Sequence, residues 1–340
     1  MAEISVAILG LKRSGASVGL ALERYNQNSK KSGHTFLVSG YDTSSDIAKA
    51  AQEMGAIKDT QRELEAVTRD KDIVIVALPF GEVEAAYELM SSSLRSGVVV
   101  VDMSMLAQSS LKIAEKHLPE DAHVVCVAPM VNPKYLFEGV DDASRASADF
   151  FDGGSMMVMP SVSCVKEAVT LAADLSKILG STPNFYDPAE YEPLIGGTEG
   201  LPSLLGVALF YNLSKNDGWA DYQRLTNPAF GMMTRHLFDT HPDDLREFWM
   251  NSGASFVRHI DELMLSLREF RTLIADGDND ALSGALDTIS KEYESWYNRR
   301  MHNDWDKGKI EQPSLSGASL MGNMFGRFSF RRGGDDEDDE

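Results

Sequence analysis

The chain has 340 residues, of which 43% are apolar, so its length and composition predict two domains with separate hydrophobic cores. Its formal net charge is −20, and the acidic run Asp335–Glu340 contributes −6 of it, which leaves −14 for the remainder. Such an acidic surface disfavours nucleic acid and anionic lipid as partners. No segment offers the roughly 20 apolar residues of a membrane helix, and no charged and apolar leader precedes the first predicted strand. We therefore expect a cytoplasmic protein with no membrane partner.

The first predicted elements are a strand, a glycine turn and a helix. The apolar run Ile4–Leu9 is typical of a central parallel strand, and small and apolar residues at helical spacing from Ser14 to Leu22 predict the helix. In the GxGxxG fingerprint of dinucleotide-binding turns, the first glycine permits the tight turn, the second admits the pyrophosphate, and the third packs the helix against the strand. The residues predicted to bind a nicotinamide dinucleotide here are Gly10, Leu11, Lys12, Arg13 and Gly15.

Lys12 stands where that fingerprint has its second glycine. Its side chain could obstruct the close approach of the pyrophosphate. Alternatively, its ammonium could contact the phosphate oxygens at the N-terminus of the helix as a positive point charge. The sequence leaves both outcomes open.

The second predicted strand is Thr35–Tyr41, and Asp42 follows it directly. A carboxylate at this position hydrogen-bonds the ribose hydroxyls of NAD and repels the extra ribose phosphate of NADP, so NAD is the predicted cofactor. The polar loop Asn26–Gly33 accounts for the long separation between turn and carboxylate. The alternative for Asp42 is an N-cap or turn residue before the predicted helix Asp46–Met54.

Strands and helices continue to alternate along the first half of the chain. The predicted segments are the strands Ile73–Leu78, Val98–Asp102 and His123–Val127 and the helices near Glu82–Leu94 and Leu106–His117. This alternation predicts a Rossmann-like, doubly wound parallel sheet. Met156–Met159 is expected to be its last strand, with Pro160 ending the domain.

Ligands bind to such sheets at the carboxyl ends of the strands. We therefore expect Gly10, Asp42, Pro79 and Ser104, each of which follows a predicted strand, to converge on one crevice. Pro79 is assigned to the cofactor site.

The second half of the chain reads as an all-α domain. Apolar residues at helical spacing run from Leu245 to Leu273, after the start signal Thr240-His241-Pro242-Asp243 and before Gly277. One small domain cannot cover so long an apolar stripe, so we expect a homodimer formed through these helices. The predicted domains are residues 1–162 for dinucleotide binding, 163–312 for substrate and dimerisation, and 313–340 as a disordered acidic tail.

The two cysteines, Cys126 and Cys164, form no disulfide framework and no CxxC pair. His236, Asp239 and His241 include ligand types that zinc accepts. Pro242 suits a first helical turn, however, and Asp239 or Thr240 a helix cap, so no metal site is predicted.

The chain resembles the prephenate and arogenate dehydrogenases of tyrosine biosynthesis over nearly its whole length. The matching segments are the turn at Gly10, Gly40-Tyr41-Asp42, the strand before Pro79, Val101-Asp102, Ala128-Pro129-Met130, Gly200-Leu201-Pro202, Thr234-Arg235 and the long helix ending near Trp296. The resemblance implies an NAD-dependent oxidoreductase. In that family a base takes the proton of a ring hydroxyl while hydride leaves for the nicotinamide, and loss of a carboxylate then gives an aromatic ring.

Several polar positions of the family differ here. Its His-Pro-Met, which carries the catalytic imidazole, reads Ala128-Pro129-Met130, and the histidines that flank its Leu-Pro are replaced by Gly200 and Ser203. The serine and lysine that follow Val-Asp in the family correspond to Ser104, one place early, and Ala107.

Three residues remain candidates for substrate chemistry. Arg235 matches the family arginine that holds a substrate carboxylate, although it could instead be a surface arginine paired with Asp239 or Asp243. Glu199 could replace the imidazole as the base if burial raises its pKa, or could be a solvated loop residue. Asn132, with Lys134, could orient a carboxylate or simply belong to the loop.

Two functions follow from these patterns. The first is an NAD-dependent dehydrogenase that acts on a small carboxylate substrate, with Arg235 holding the carboxylate and Glu199 or Ser104 handling the proton. The second is a non-catalytic dinucleotide-binding protein or partner subunit derived from the same family, since the family's imidazole and the second glycine are both absent.

Overall fold

The computed structural model describes residues 2–28, 34–138 and 143–305. Its strands are β1 (Ala2–Leu9), β2 (His34–Tyr41), β3 (Asp59–Thr60), β4 (Ile73–Val76), β5 (Val99–Asp102), β6 (His123–Met130), β7 (Ser155–Pro160) and β8 (Thr182–Phe185). They form a single sheet of order β3-β2-β1-β4-β5-β6-β7-β8. The strand order reverses between β1 and β4, which is the position where doubly wound sheets bind their ligands.

The strands from β1 to β6 are parallel, as predicted, and both faces of the sheet are covered. In β1, Val6 and Ile8 belong to one buried apolar cluster, while Ala7 and Leu9 belong to a second cluster on the opposite face. Burial on both faces explains why these strands read as continuous apolar runs rather than as alternating patterns.

Helices follow the strands and then dominate the chain. Beside the sheet lie α1 (Arg13–Asn28), α2 (Ser45–Glu53), α3 (Leu64–Thr68), α4 (Phe80–Met90), α5 (Ala107–His117) and α6 (Lys166–Ile178). The helical region comprises α7 (Pro188–Ile195), α8 (Leu201–Ser214), α9 (Trp219–Tyr222), α10 (Pro228–Met233), α11 (His236–Asp239), α12 (Pro242–Asn251), α13 (Gly253–Asp276) and α14 (Asn279–His302). The predicted Rossmann-like sheet followed by a helical region is thereby confirmed.

Three details of the sheet differ from the prediction. β7 does not end it, because α6 leads the chain back to β8 at the sheet edge, and β7 runs antiparallel to β6. β6 is also longer than predicted and includes Ala128-Pro129-Met130. Pro129 is tolerated there because the pairing of β5 with β6 ends at Cys126, so one side of Pro129 faces no neighbouring strand.

The predicted loop Asn26–Gly33 starts too early, because α1 continues to Asn28. The Asn26 amide explains this extension. Its Nδ2 donates to the carbonyl oxygen of Phe36 and its Oδ1 accepts from the backbone N–H of the same residue, both at 2.9 Å, so it ties the end of α1 to β2. Residues 29–33 lie outside the described ranges.

The long apolar stripe is divided between two helices. α12 begins at Pro242 with His241 as its N-cap, as the start signal predicts, but it ends at Asn251. Gly253 has a φ of +68°, a conformation that breaks the helix before α13 begins. Periodicity did not reveal this break, since the apolar spacing continues across it.

Among the residues that the structure describes, one helical stretch, Pro188–Ser214, is long and apolar enough to cross a membrane by length and composition. The sequence did not predict this stretch as a membrane helix, because glycines and polar residues interrupt its apolar residues. A single such helix is a weak indication, since a core helix of a soluble protein meets the same two criteria.

The chain divides into two compact units, Met1–Glu262 and Leu263–Glu340. The first contains the whole sheet and the helices up to α12. The described part of the second consists of the C-terminal part of α13, from Leu263, together with α14. The domain boundaries at residues 162 and 312 stay predictions, and the tail 313–340 lies outside the described residues.

Candidate active site

The turn after β1 has the two glycines that its geometry requires. Gly10 has a φ of +86°, and a Cβ added there would lie 2.5 Å from the carbonyl oxygen of Ala77. A Cβ at Gly15 would lie only 1.9 Å from the carbonyl oxygen of Gly10. The Gly10 N–H donates to the Tyr41 carbonyl at 2.9 Å, which fixes the turn against the end of β2. The structure thus retains the narrow cradle in which backbone approaches a pyrophosphate.

Asp42 lies beside this cradle at the end of β2. Its Oδ2 accepts the backbone N–H of Leu11 at 2.8 Å, and its Oδ1 accepts that of Ser44 at 2.9 Å. The N-cap of α2 is Ser44, whose hydroxyl accepts from Ile47, so Asp42 is a turn residue rather than the cap. Each carboxylate oxygen retains a second acceptor position, which ribose hydroxyls can occupy.

Lys12 lies in an acidic environment. Burial raises the pKa values of Glu82, in the first turn of α4, and of Asp244, on α12, and the positive charge of Lys12 opposes both shifts. A Cβ at Gly81 would lie 3.6 Å from Cγ of Glu247 and 3.9 Å from Oδ1 of Asp244, so α12 packs on the first turn of α4. Lys12 therefore supplies positive charge at the strand ends, where carboxylates would otherwise repel a phosphate.

Arg13 is turned away from solvent, with only 3% of its surface exposed. Its guanidinium carbon lies 4.9 Å from the ring centroid of Tyr135 and 4.6 Å from that of Phe150, and its Nη2 is 2.9 Å from Oε2 of Glu138. These contacts satisfy a charge that burial would otherwise penalise. The side chain thus contacts the segment after β6. If Arg13 binds the cofactor, as predicted, it does so through its backbone N–H.

Asp102, at the end of β5, is fully buried and holds the next loop in place. It accepts hydrogen bonds from the backbone N–H of Ser104 at 2.8 Å, from the Tyr87 hydroxyl at 2.5 Å, and from the Ser110 hydroxyl. Burial raises the pKa of its carboxyl, and the three donors oppose that shift. Asp102 was not among the predicted site residues, although an acidic residue ending an otherwise apolar strand was the available signal.

Ser104 lies two residues after Asp102, in the loop between β5 and α5, and is itself buried. Its Oγ accepts the backbone N–H of Leu106 at 3.3 Å, next to the start of α5. Pro79 occupies the N-cap position of α4 after β4. Both residues therefore lie at carboxyl ends of neighbouring strands, on the same edge of the sheet as the Gly10 turn.

The loop after β6 uses its polar groups internally. The Nδ2 of Asn132 donates to the carbonyl oxygen of Asp149 at 3.0 Å, and its Oδ1 accepts from the backbone N–H of Lys134 at 3.1 Å. The Lys134 ammonium pairs with the Asp149 carboxylate. Although burial acts to raise it, hydrogen bonds from Lys134, Ser147 and Tyr135 hold the pKa of Asp149 well below its ordinary value. These contacts favour the loop role of Asn132 over a substrate contact.

Aromatic rings occupy the surroundings of Gly200 and Ser203, the two positions where the resembled family has histidines. A Cβ at Gly200 would lie 2.7 Å from Cε2 of Phe256 and 3.2 Å from Cε1 of Phe248. The indole N–H of Trp249 donates to Oγ of Ser203 at 3.0 Å. The sequence showed these rings only as members of an apolar stripe, and their partners could not be read from it.

Glu199 lies in a π-helical turn, Gly196–Gly200, which joins α7 to α8. Its side chain reaches solvent, yet the surrounding protein raises the pKa of its carboxyl above the ordinary value. That environment is the one the sequence analysis required of a proton acceptor near neutral pH.

Arg235 directly precedes α11, and its side chain is 30% exposed. Its Nε donates to Oδ2 of Asp239 at 2.7 Å. A Cβ at Gly206 on α8 would lie 2.3 Å from the carbonyl oxygen of Met233, so the segment leading to Arg235 packs closely against α8. The pairing with Asp239 is the one foreseen for a surface arginine, and it also orients the planar guanidinium. Within the described ranges, no group of three His, Cys, Asp or Glu side chains could hold a metal ion.

Comparisons with known proteins agree with this geometry. Residues 26–182 match the family model of the prephenate dehydrogenase nucleotide-binding domain. The prephenate dehydrogenase of Bacillus subtilis (strain 168) is 22% identical over 293 residues, which cover 85% of this chain and 75% of that protein.

Two solved structures share the fold. The prephenate dehydrogenase of A. aeolicus, in complex with hydroxyphenyl propionate and NAD+, has a TM-score of 0.73 at 17% identity and covers 87% of this chain and 99% of its own. The arogenate dehydrogenase of Synechocystis has a TM-score of 0.64 at 15% identity, over 86% of this chain and 100% of its own. The chain thus resembles prephenate dehydrogenases in sequence over residues 26–182, and it shares the fold of prephenate and arogenate dehydrogenases over most of its length.

Proposed function

We propose that this protein is an NAD-dependent dehydrogenase that oxidatively decarboxylates a cyclohexadienyl carboxylate, the reaction class of tyrosine biosynthesis. The observation that carries the proposal is the cradle formed by Gly10, Gly15 and the Asp42–Leu11 hydrogen bond, because a Cβ would fill it and an acidic residue borders it. A carboxylate at this position favours the ribose hydroxyls of NAD over the ribose phosphate of NADP.

The chemistry divides between the cofactor and three side chains. NAD+, held by the Gly10–Gly15 turn and by Asp42, would supply the hydride acceptor for the carbon that carries the substrate hydroxyl. Glu199 takes the hydroxyl proton, with Ser104 as the second candidate for this step, and Arg235 holds a substrate carboxylate. Loss of the ring carboxylate as CO2 returns its electron pair to the ring, and the oxygen regains the proton as a phenol. Asn132 acts indirectly, by shaping the loop after β6.

The test is a search for NADH absorbance in mixtures of the protein with NAD+ and either prephenate or arogenate. We expect turnover with one of them, and a loss of about 30- to 100-fold in kcat/KM for Arg235→Ala, the size expected when a charged hydrogen-bonded partner is removed. Arg268→Ala, on α13, is the matched control and should retain activity. Absence of NADH formation at high protein concentration with both substrates would refute the dehydrogenase proposal.

A second candidate function rests on the aromatic rings around Gly200 and Ser203 and on the fully buried Ala128. These positions carry no imidazole, which suits a non-catalytic dinucleotide-binding or partner subunit. Titration with NADH, followed by its fluorescence, separates the two cases. Binding without turnover of either substrate would favour this second function.

We also propose that the protein is a cytoplasmic homodimer. Large apolar side chains remain exposed on several helices; examples are Tyr211, Met232, Phe238, Leu267 and Ile274. Patches of this kind mark interaction surfaces, and a second copy would cover them symmetrically. Light scattering after size-exclusion chromatography should give twice the mass of the chain, and a monomer at micromolar concentration would exclude this assembly.

A further inference from the structure

The helix from α7 to α8 contains one extra residue. In the π turn Gly196–Gly200 the backbone N–H of Leu201 donates to the carbonyl oxygen of Gly196, five residues earlier. His259 Nε2 hydrogen-bonds the carbonyl oxygen of Pro193 at 2.9 Å just before this turn. Single π turns within α-helices are frequent at functional sites.

The extra residue changes which side chain lies on the helix face of Tyr191, two turns further along the chain. Two turns of a regular α-helix span about 7 residues, which would bring Thr198 to the face of Tyr191. One added residue brings Glu199 there instead. After burial, the negative charge of Glu199 is the largest influence that raises the pKa of Tyr191. The π turn therefore brings a carboxylate close to this phenol.

Tyr191 is a polar group without a partner in the described part of the chain. Its side chain is 4% exposed, and its hydroxyl makes no hydrogen bond there. It packs in the apolar cluster that also contains Cys126 and Ala128, which lie on one face of β6. A buried hydroxyl of this kind is unfavourable unless another state of the protein uses it.

We propose that Tyr191 is a positioning residue for Glu199, with its hydroxyl donating a hydrogen bond to the ionised carboxylate. This inference rests on the proposed function, in which Glu199 takes the substrate proton. The other titratable groups around the pair are Glu192 on α7, Cys126 on β6 and His259 on α13. The π turn sets the register that makes the contact possible.

The first test is the pH profile of kcat/KM for Tyr191→Phe with NAD+ and the accepted cyclohexadienyl substrate. Removing a donor to the ionised carboxylate raises the pKa of Glu199, so the acid limb should move to higher pH by about 1 unit, with the high-pH plateau retained. Tyr186→Phe is the matched control, because the Tyr186 ring packs against Tyr191 at 6.4 Å between centroids. A uniform loss of activity at every pH would overturn the positioning role.

A second test does not depend on turnover. The pKa of Glu199 is raised in the folded state. Its carboxyl therefore contributes to the free energy of unfolding below its unfolded pKa, and this contribution is lost as pH rises through the folded pKa. Tyr191→Phe should therefore leave the melting temperature equal or higher near about pH 4 and lower it near about pH 8. In a Glu199→Gln background the effect of Tyr191→Phe should lose its pH dependence. An effect independent of pH in both backgrounds would refute the contact even if the dehydrogenase proposal holds.

Discussion

The carboxylate of Asp42 accepts the backbone N–H of Leu11 at 2.8 Å, and this contact joins the end of β2 to the turn that follows β1. One acidic side chain thereby orders the cradle and borders the position of the ribose. The same residue thus serves both the shape of the turn and the choice of cofactor.

Asp42→Ala should weaken NADH binding by about 10-fold or more, since hydrogen bonds to charged groups contribute about 1.5–3 kcal/mol. Discrimination against NADPH should fall as well, because the repelling charge is lost. Fluorescence titration with both dinucleotides measures the two effects. Asp46→Ala, an exposed position on α2, is the control. Unchanged NADH affinity in Asp42→Ala would show that ribose does not bind there.

Lys12→Met is expected to weaken NADH binding and to flatten its dependence on salt, because the ammonium offsets Glu82 and Asp244 near the cradle. Loss of this cation also raises the pKa values of both carboxyls. Titration at low and high ionic strength provides the measurement, and Lys49→Met on α2 is the control. Tighter binding in Lys12→Met would mean that the side chain obstructs the pyrophosphate.

Gly15→Ala should destabilise the protein by about 1–3 kcal/mol, because its Cβ would collide with the Gly10 carbonyl oxygen. Gly231→Ala on α10 is the matched substitution, since no atom lies within 4 Å of its added Cβ. It should be neutral or should stabilise by up to about 1 kcal/mol through helix propensity. Urea unfolding of both variants compares the two glycines. Equal stability would mean that α1 can move away from the turn.

Restoring one family histidine should fail for steric reasons. Gly200→His places an imidazole against Phe256 and Phe248, so it should be destabilising by itself. In a Phe256→Ala background the same change should cost less, with a coupling of about 0.5–3 kcal/mol in a double-mutant cycle. Additive effects would indicate that the rings are not what excludes the histidine. Chemical denaturation of the four proteins provides the values.

The sheet and the cradle were predictable because each depends on local patterns. The apolar run Ile4–Leu9 and the glycines of the turn fix a strand, a bend and a helix within a few residues. Asp42 was recognised because it follows the next strand. Such patterns involve residues close together in the sequence, so they can be recognised without knowledge of tertiary contacts.

The helical half was less predictable because its decisive features are non-local. No spacing rule reveals that Gly196–Gly200 forms a π turn, so it could not be foreseen that Glu199 rather than Thr198 shares the helix face of Tyr191. The Trp249–Ser203 hydrogen bond joins residues 46 positions apart, which periodicity does not report. The break at Gly253 was hidden by an apolar pattern that continues on both sides.

Arg13 is the first residue of α1, and its buried guanidinium is clasped by Tyr135, Phe150 and Glu138. The opening helical turn therefore shares its anchorage with the strand-to-strand connection after β6. Because these contacts hold the first residue of the helix, we expect the position of the peptide N–H groups that face a dinucleotide to depend on the conformation of the segment after β6.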